Sequence, residues 1–361
     1  MVVLNTGNAI VNGCRALWLM TLLLAGAGSA AAQGDRLSFY GFFDLELEAT
    51  NRRGGAAWSF DQHHFNVASI YRLDGHWRVF GEIEWEHGPR VESGDVAGEV
   101  ALERATLEYK RTDAFQVKIG KFLPPFGLYN LRHDATPTFL STSLPSSIYG
   151  EHTNPLGQGQ RLFSKFGTGV QVSGNVFTRR WEAEYFVYVI NGRGPEPAGQ
   201  DNNQNKGVGG RLAIRVPGNA VQVGASYYTD RNGEAADTRQ RSVAVDVTAH
   251  YAELLMEAEL LVPRLERVDA TGQPNGSFRT GRGYYVQVSR TLVGRLTPFV
   301  RYDFYDPDTS TPRDGERDVV LGLNLAATGA VFFKSEVHLR TFQSLVQEGY
   351  QLFLGSVAVA F

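Results

Sequence analysis

The side chains best able to do chemistry in this 361-residue chain are charged groups that recur at every second position. In 331–340, Lys334, Glu336, His338 and Arg340 alternate with Val331, Phe333, Val337 and Leu339. In 295–305, Arg295, Thr297, Phe299, Arg301 and Asp303 alternate with Leu296, Pro298, Val300, Tyr302 and Phe304. In 76–86, Arg78, Glu82, Glu84 and Glu86 oppose Trp77, Val79, Ile83 and Trp85. A period of two sends the two sets to opposite faces of a strand. A charged face of this kind acts on ions by electrostatics rather than by bond chemistry. Enzyme signatures are missing: there is no G-x-S-x-G, H-E-x-x-H or P-loop, and no Ser/His or Asp/His set assembles. Gly281-Arg282-Gly283 and Gly207-Val208-Gly209-Gly210 read as turn or strand glycines, not cofactor loops. His63-His64 would point to opposite faces of a strand, which defeats joint metal ligation, so both read as wall histidines. Asp201-Asn202-Asn203-Gln204-Asn205 reads as a solvated loop in preference to a Ca²⁺ site. The chain is therefore expected to be a non-enzyme without cofactor or metal.

The elements that position these charges are strands. Alternating segments fall at 37–50, 60–73, 76–88, 98–111, 115–121, 162–177, 181–191, 207–217, 220–229, 240–250, 252–263, 282–292, 295–306, 317–327, 330–341 and 349–361. That is about sixteen, the even number expected of bacterial single-chain barrels. Tight turns such as Leu73-Asp74-Gly75-His76, Thr112-Asp113-Ala114, Pro217-Gly218-Asn219 and Thr328-Gly329 alternate with longer polar segments at 192–206, 264–281 and 307–316. Short turns on the periplasmic side and long loops outside give that alternation. The apolar faces go to lipid, because a charge at the bilayer midplane costs about 2–4 kcal/mol. Every backbone group in hydrocarbon must be paired, so the sheet must close. About sixteen strands leave an aqueous lumen. The predicted fold is a closed antiparallel transmembrane β-barrel, all-β, with both termini on the periplasmic side.

Residues 1–32 read as a secretory signal peptide: Arg15 precedes an apolar run from Ala16 to Ala25, and Ser29-Ala30-Ala31-Ala32 supplies a small-residue cleavage site. The apolar run is too short for a spanning helix. Cys14, the single cysteine, lies inside this segment. Residues 33–361 then form one outer-membrane domain in a Gram-negative envelope. Removing Arg15 turns 35 basic residues into 34 against 38 acidic ones, so nucleic-acid binding has no electrostatic support. The load of 40 Gly, 22 Phe and 15 Tyr suits strands divided by tight turns. The terminal Phe361 shares a face with Val359, Val357 and Phe353 and looks like the aromatic end read by the barrel-assembly machinery.

One connection is much longer than the rest. After Phe115–Lys121 the pattern breaks at Pro124-Pro125 and resumes near Gln160. Long connections without their own secondary structure are usually functional. The segment 122–160 is expected to fold into the barrel, with Phe126 to Ser147 narrowing the lumen. Gly120-Lys121-Phe122-Leu123-Pro124-Pro125-Phe126-Gly127-Leu128, then Thr138-Phe139 and Ser143-Leu144-Pro145, resembles the phosphate-selective porin O and P family and its G-[KQ]-F-x-x-P-F-G-L run. The resemblance implies a sixteen-stranded homotrimeric outer-membrane channel, in contact with lipid and lipopolysaccharide, that passes small solutes such as phosphate along basic residues. Lys118, Lys121, Arg132, His133, Arg301 and Arg340 are the candidate constriction and selectivity residues, since charges near the narrowest point set selectivity. The inward acidic set is larger, with Asp44, Glu46, Glu48, Glu82, Glu84, Glu86, Glu257 and Glu259 among it. The expectation is passive diffusion with weak selectivity and no tight phosphate site. The alternative is a structural or adhesive barrel acting through its external loops.

Overall fold

The computed structural model describes residues 36–52, 54–55, 58–92, 95–132, 136–153, 159–192, 201, 204–216, 220–232, 237–344 and 347–361. The chain runs β1 (Leu37–Thr50), β2 (Ser59–Arg72), β3 (Trp77–Glu92), β4 (Asp95–Thr112), β5 (Phe115–Phe122), then a loop, then β8 (Gly167–Phe177), β9 (Glu182–Asn191), β10 (Lys206–Arg215), β11 (Val221–Asn232), β12 (Thr238–Tyr251), β13 (Leu254–Val268), β14 (Pro274–Thr280), β15 (Arg282–Arg290), β16 (Leu296–Asp306), β17 (Glu316–Ala326), β18 (Val331–Phe342) and β19 (Tyr350–Ala360). The loop contains two 3-10 turns (Asn130–Arg132 and Thr136–Thr138), a short helix (Ser146–Tyr149), and the small strand pair β6 (His152–Thr153) and β7 (Gly159–Gln160).

Each wall strand pairs antiparallel with its neighbours, and β1 pairs with β19 from Phe42↔Ala360 to Thr50↔Leu352, which closes the sheet. β14 and β15 both pair with β13 and are two halves of one stave interrupted at Gly281, so the wall is a closed barrel of 16 staves. The faces follow from the alternation. Val187 is 56% exposed, Tyr188 1% and Val189 46%: the valines face outward and the tyrosine inward. Val300 and Tyr302 face out while Arg301 and Asp303 are buried, and Phe333 and Val337 face out while Lys334, Glu336 and His338 are buried. An apolar outer belt over a polar interior inverts the plan of a soluble domain and suits a hydrocarbon surround.

The sixth stave departs from the sequence reading. It starts at Gly167 rather than at 162. Leu162-Phe163-Ser164-Lys165-Phe166 mimics strand alternation, but Leu162 and Phe163 are fully buried under the loop, with Phe163 stacked on Phe126 at 4.1 Å. The stretch 264–281 also differs, because β13 and β14 carry the ladder well into it.

The segment between β5 and β8 turns into the barrel. Just before it, within β5, Gly120 has φ +129, and a Cβ there would collide with the Ala105 carbonyl of β4. Gly127 has φ +61, and a Cβ there would strike the Tyr149 hydroxyl and the Glu259 carboxylate. The glycines of the Gly120–Leu128 motif thus stand where backbone meets backbone and wall. Phe122, Phe126, Tyr129, Phe139, Ile148, Tyr149, Leu162 and Phe163 form one apolar cluster with the wall residues Tyr188, Tyr228, Leu261 and Tyr285. Each buried Phe, Ile or Leu contributes about 1.5–3 kcal/mol relative to exposure, so this cluster anchors the loop.

Candidate functional site

The candidate site is the lumen at the level of the loop. Its geometry begins with how the loop is held. Glu259 of β13 accepts from Tyr149 Oη at 2.7 Å and Tyr285 Oη at 2.8 Å on one oxygen, and from the Leu128 N–H at 3.1 Å on the other. Burial, and then the Glu259 carboxylate, hold the Tyr149 phenol well above its ordinary pKa, so it stays a donor. Gly127 N–H donates to Ser226 Oγ of β11 at 3.1 Å, and Tyr129 Oη to Glu257 at 2.6 Å. Farther along, Glu336 accepts from the Thr142 and Ser143 N–H groups at 3.3 and 2.8 Å. Lys334 Nζ donates to the Thr136 and Ser141 carbonyls. Asn324 Nδ2 donates to the Leu140 carbonyl at 2.9 Å, and Asp303 accepts from Ser146 and Ser147. The 3-10 turn Thr136–Thr138 reaches β1 and β19. The loop therefore lies along the wall from β11 round to β19.

Opposite it, the lumen face of β1–β5 carries Asp44, Glu46, His64, Asn66, Glu82, Glu84, Glu103, Arg104, Glu108 and Lys118. These groups bond mainly to one another: His64 Nδ1 to Asp44 at 2.9 Å, Asn66 to Glu84 at 3.4 Å, Arg104 to Glu82, and Arg78 to Glu108 at 2.6 Å. Carboxylates outnumber the cations on this half.

The six residues singled out from sequence are scattered. Arg301 is 1% exposed and grips the loop, through Nη1 to Ser141 Oγ and the Ser143 carbonyl and through Nη2 to Ser143 Oγ at 3.2 Å. Arg340 donates to Asp318 and to Tyr350 Oη, both at 3.2 Å. Lys118 lies 3.4 Å from Glu108, in a cavity of about 270 Å³ near the turn ends of β2–β5 that Arg72, Arg78 and Gln116 also line. Lys121 pairs in register with Ala105, on the outward face of Ile119 and Leu107; its Nζ donates to the Leu102 carbonyl at 2.8 Å. Arg132 is exposed, its guanidinium over the rings of Tyr129 and Phe139 at 5.2 and 5.7 Å. His133 lies outside the described residues.

The expectation that His63 and His64 point to opposite faces is overturned. Between the pairs Asp44↔His64 and Glu46↔Asp61 the register slips, so Gln62 and His63 together oppose Leu45. This β-bulge re-aims one side chain and turns both imidazoles inward, their rings 3.9 Å apart. The signal was present in the sequence: Phe60 and Phe65 both face outward, five residues apart, a spacing that strict alternation forbids.

A closed barrel with an apolar belt, a charged lumen and a loop laid across that lumen defines an outer-membrane channel. The profile of the Gram-negative porin family matches residues 19–326, and the chain belongs to that family. No curated protein sequence matches it. Among solved structures it is similar to a loop-deletion mutant of OmpT, an outer membrane protein of Vibrio cholerae (TM-score 0.61, 12% identity, 90% of this chain and 99% of that one). It is also similar to Salmonella typhi OmpF in complex with daunomycin (TM-score 0.60, 11% identity, 90% and 97%) and to the outer membrane channel DcaP of Acinetobacter baumannii (TM-score 0.58, 12% identity, 90% and 97%). At these identities the likeness is one of fold.

Proposed function

We propose that this porin is a passive diffusion channel for small hydrophilic and ionic solutes, with a weak preference for cations. The observation that carries the reading is the division of the lumen charges. Arg301, Lys334 and Arg340 are engaged with the loop or with Asp318. The wall away from the loop carries the partly exposed Glu46, Glu86 and Glu108 beside the buried Asp44, Glu82 and Glu84, so carboxylates outnumber cations there. Lys118, paired with Glu108, and the exposed Arg132 tune the preference rather than reverse it. The Gly120–Leu128 motif supports kinship in loop architecture with phosphate-selective porins. The engagement of the wall cations argues against a tight phosphate site.

Several further features belong to this reading. Residues 1–32 are removed on export. The protein works as a homotrimer, a state supported by the trimer form of Vibrio cholerae OmpT, to which the chain is also similar. Phe361, outward-facing beside Phe65 at 6.0 Å, is the assembly signal.

Planar-bilayer recordings test the proposal. In a KCl gradient the reversal potential should fall on the cation side, and Lys118→Glu or Arg132→Glu should move it further that way. Chloride conductance should be indifferent to micromolar phosphate. Block in that range would overturn the selectivity reading, and absence of conductance from folded protein would overturn the channel reading.

A further inference from the structure

Three of the chain's histidines converge at the external half of β1–β3. His63 stacks on His64 at 3.9 Å and on His87 at 4.9 Å. The bulge at Gln62-His63 brings in the first two. His87 is brought in by a left-handed backbone, φ +54, rare for a residue with a side chain. Carboxylates surround the stack: His63 Nδ1 is 3.1 Å from Glu46, His64 Nδ1 2.9 Å from Asp44, and His87 Nδ1 2.6 Å from Asp61. Ligand atoms of Asp44, His63 and His64 all lie within 4.8 Å of one another, and so do those of Asp61, His63 and His87. The two triads share His63. An independent feature points to a missing ligand. Asp44 is 0% exposed, and its Oδ2 has no hydrogen-bond partner among the described residues. A buried carboxylate oxygen without a donor is costly, and a bound cation supplies what it lacks.

We propose that this cluster is a binding site for a divalent transition-metal cation of the zinc type. Asp44, His63 and His64 form an inner triad, and Asp61, His63 and His87 an outer one. Imidazole nitrogen with carboxylate oxygen is the donor set that zinc takes in four-coordinate sites. Three protein donors in either triad leave a fourth position for water, so the ion can exchange. His63 serves one triad at a time, so the cluster holds one ion and offers it two adjacent positions along the wall. Mg²⁺, which requires a near-octahedral shell of oxygens, does not fit two imidazoles.

Calorimetric titration of the detergent-solubilised protein with ZnCl₂, and separately with MgCl₂, tests this without reference to conductance. Failure of the site is thereby separable from failure of the diffusion reading. The wild type should bind about one Zn²⁺ per chain and give no heat with Mg²⁺. His63→Ala, which touches both triads, should weaken binding about a hundredfold, and His87→Ala, at an exposed ring, about tenfold. Heat-modifiable gel mobility confirms that each variant is folded, and His87→Ala keeps the test open if His63→Ala is not. No Zn²⁺ binding up to millimolar concentration, or variants that titrate like the wild type, would overturn the proposal.

Discussion

Beneath the loop, from β11 to β19, lumen charges act as fasteners: Glu259 clasps two tyrosines and a backbone amide, Glu336 caps two more amides, and Arg301 and Lys334 reach loop hydroxyls and carbonyls. Across the lumen, from β2 to β4, the same residue types pair sideways along the wall, as Arg104 does with Glu82 and Asn66 with Glu84. The alternation that placed both sets is identical. What separates them is whether a second layer of protein lies over them. A charge count over the whole lumen therefore misstates the field a solute meets, because the covered half is already neutralised by its own contacts.

The largest expected effect comes from removing the second layer. Deleting 126–147 should raise single-channel conductance several-fold, since it uncovers the wall from β11 to β19; unchanged conductance in a folded deletion variant would mean that the loop does not narrow the lumen. Next is Glu336→Ala, which strips the acceptor from Thr142 and Ser143 and removes one of the two carboxylates that bracket His338. Removing one partner from a buried charge network costs about 3–5 kcal/mol, and denaturant unfolding should show a loss of that order.

His152 gives a smaller effect that depends on pH. It is buried in the loop against Tyr305, ring centroids 3.6 Å apart, and burial pushes its pKa down to about 3. The docked loop keeps the imidazole neutral, whereas an undocked one takes a proton near 6.5. Stability from this residue is thus complete above pH 6.5 and falls toward pH 3, by about 1.4 kcal/mol per unit. Thermal midpoints at pH 7 and pH 5 should differ less in His152→Gln than in the wild type. The smallest effect is on the uncovered half. Glu84→Gln keeps an acceptor for Asn66 and should cost less than about 1 kcal/mol, yet shift the reversal potential toward anions. A large loss of stability there, with no electrical change, would erase the distinction between the two halves.

Most stave boundaries were legible because alternation, tight turns and the Pro124-Pro125 break are local patterns. The inward set that includes Glu259, Arg301 and Glu336 was legible by parity. Their work was not, because the partners of Arg301 and Glu336 lie 158 and 193 residues away in the chain and no period connects them. Strict parity also hid the histidine cluster, since a single inserted residue at the Gln62-His63 bulge inverts the assignment of everything beyond it. Phe60 and Phe65, and likewise Leu102 and Leu107, face outward at odd spacings; β4 slips register too, at the pairs Glu82↔Arg104 and Ile83↔Leu102. In barrel sequences an odd interval between lipid-facing residues is therefore a usable mark of a bulge.

The 3-10 turn Thr136–Thr138 touches both β1 and β19, the two strands whose pairing joins residues more than 300 positions apart. Contacts between such distant parts of a chain are slow to form, because chain entropy is lost before they return anything. The tip of the loop has its full set of neighbours only when that seam has zipped. Wall closure and completion of the neck are consequently coupled: an open sheet lacks the joined β1 and β19 contacts that seat the loop tip, and the passage reaches its final width only as the sheet loses its edges.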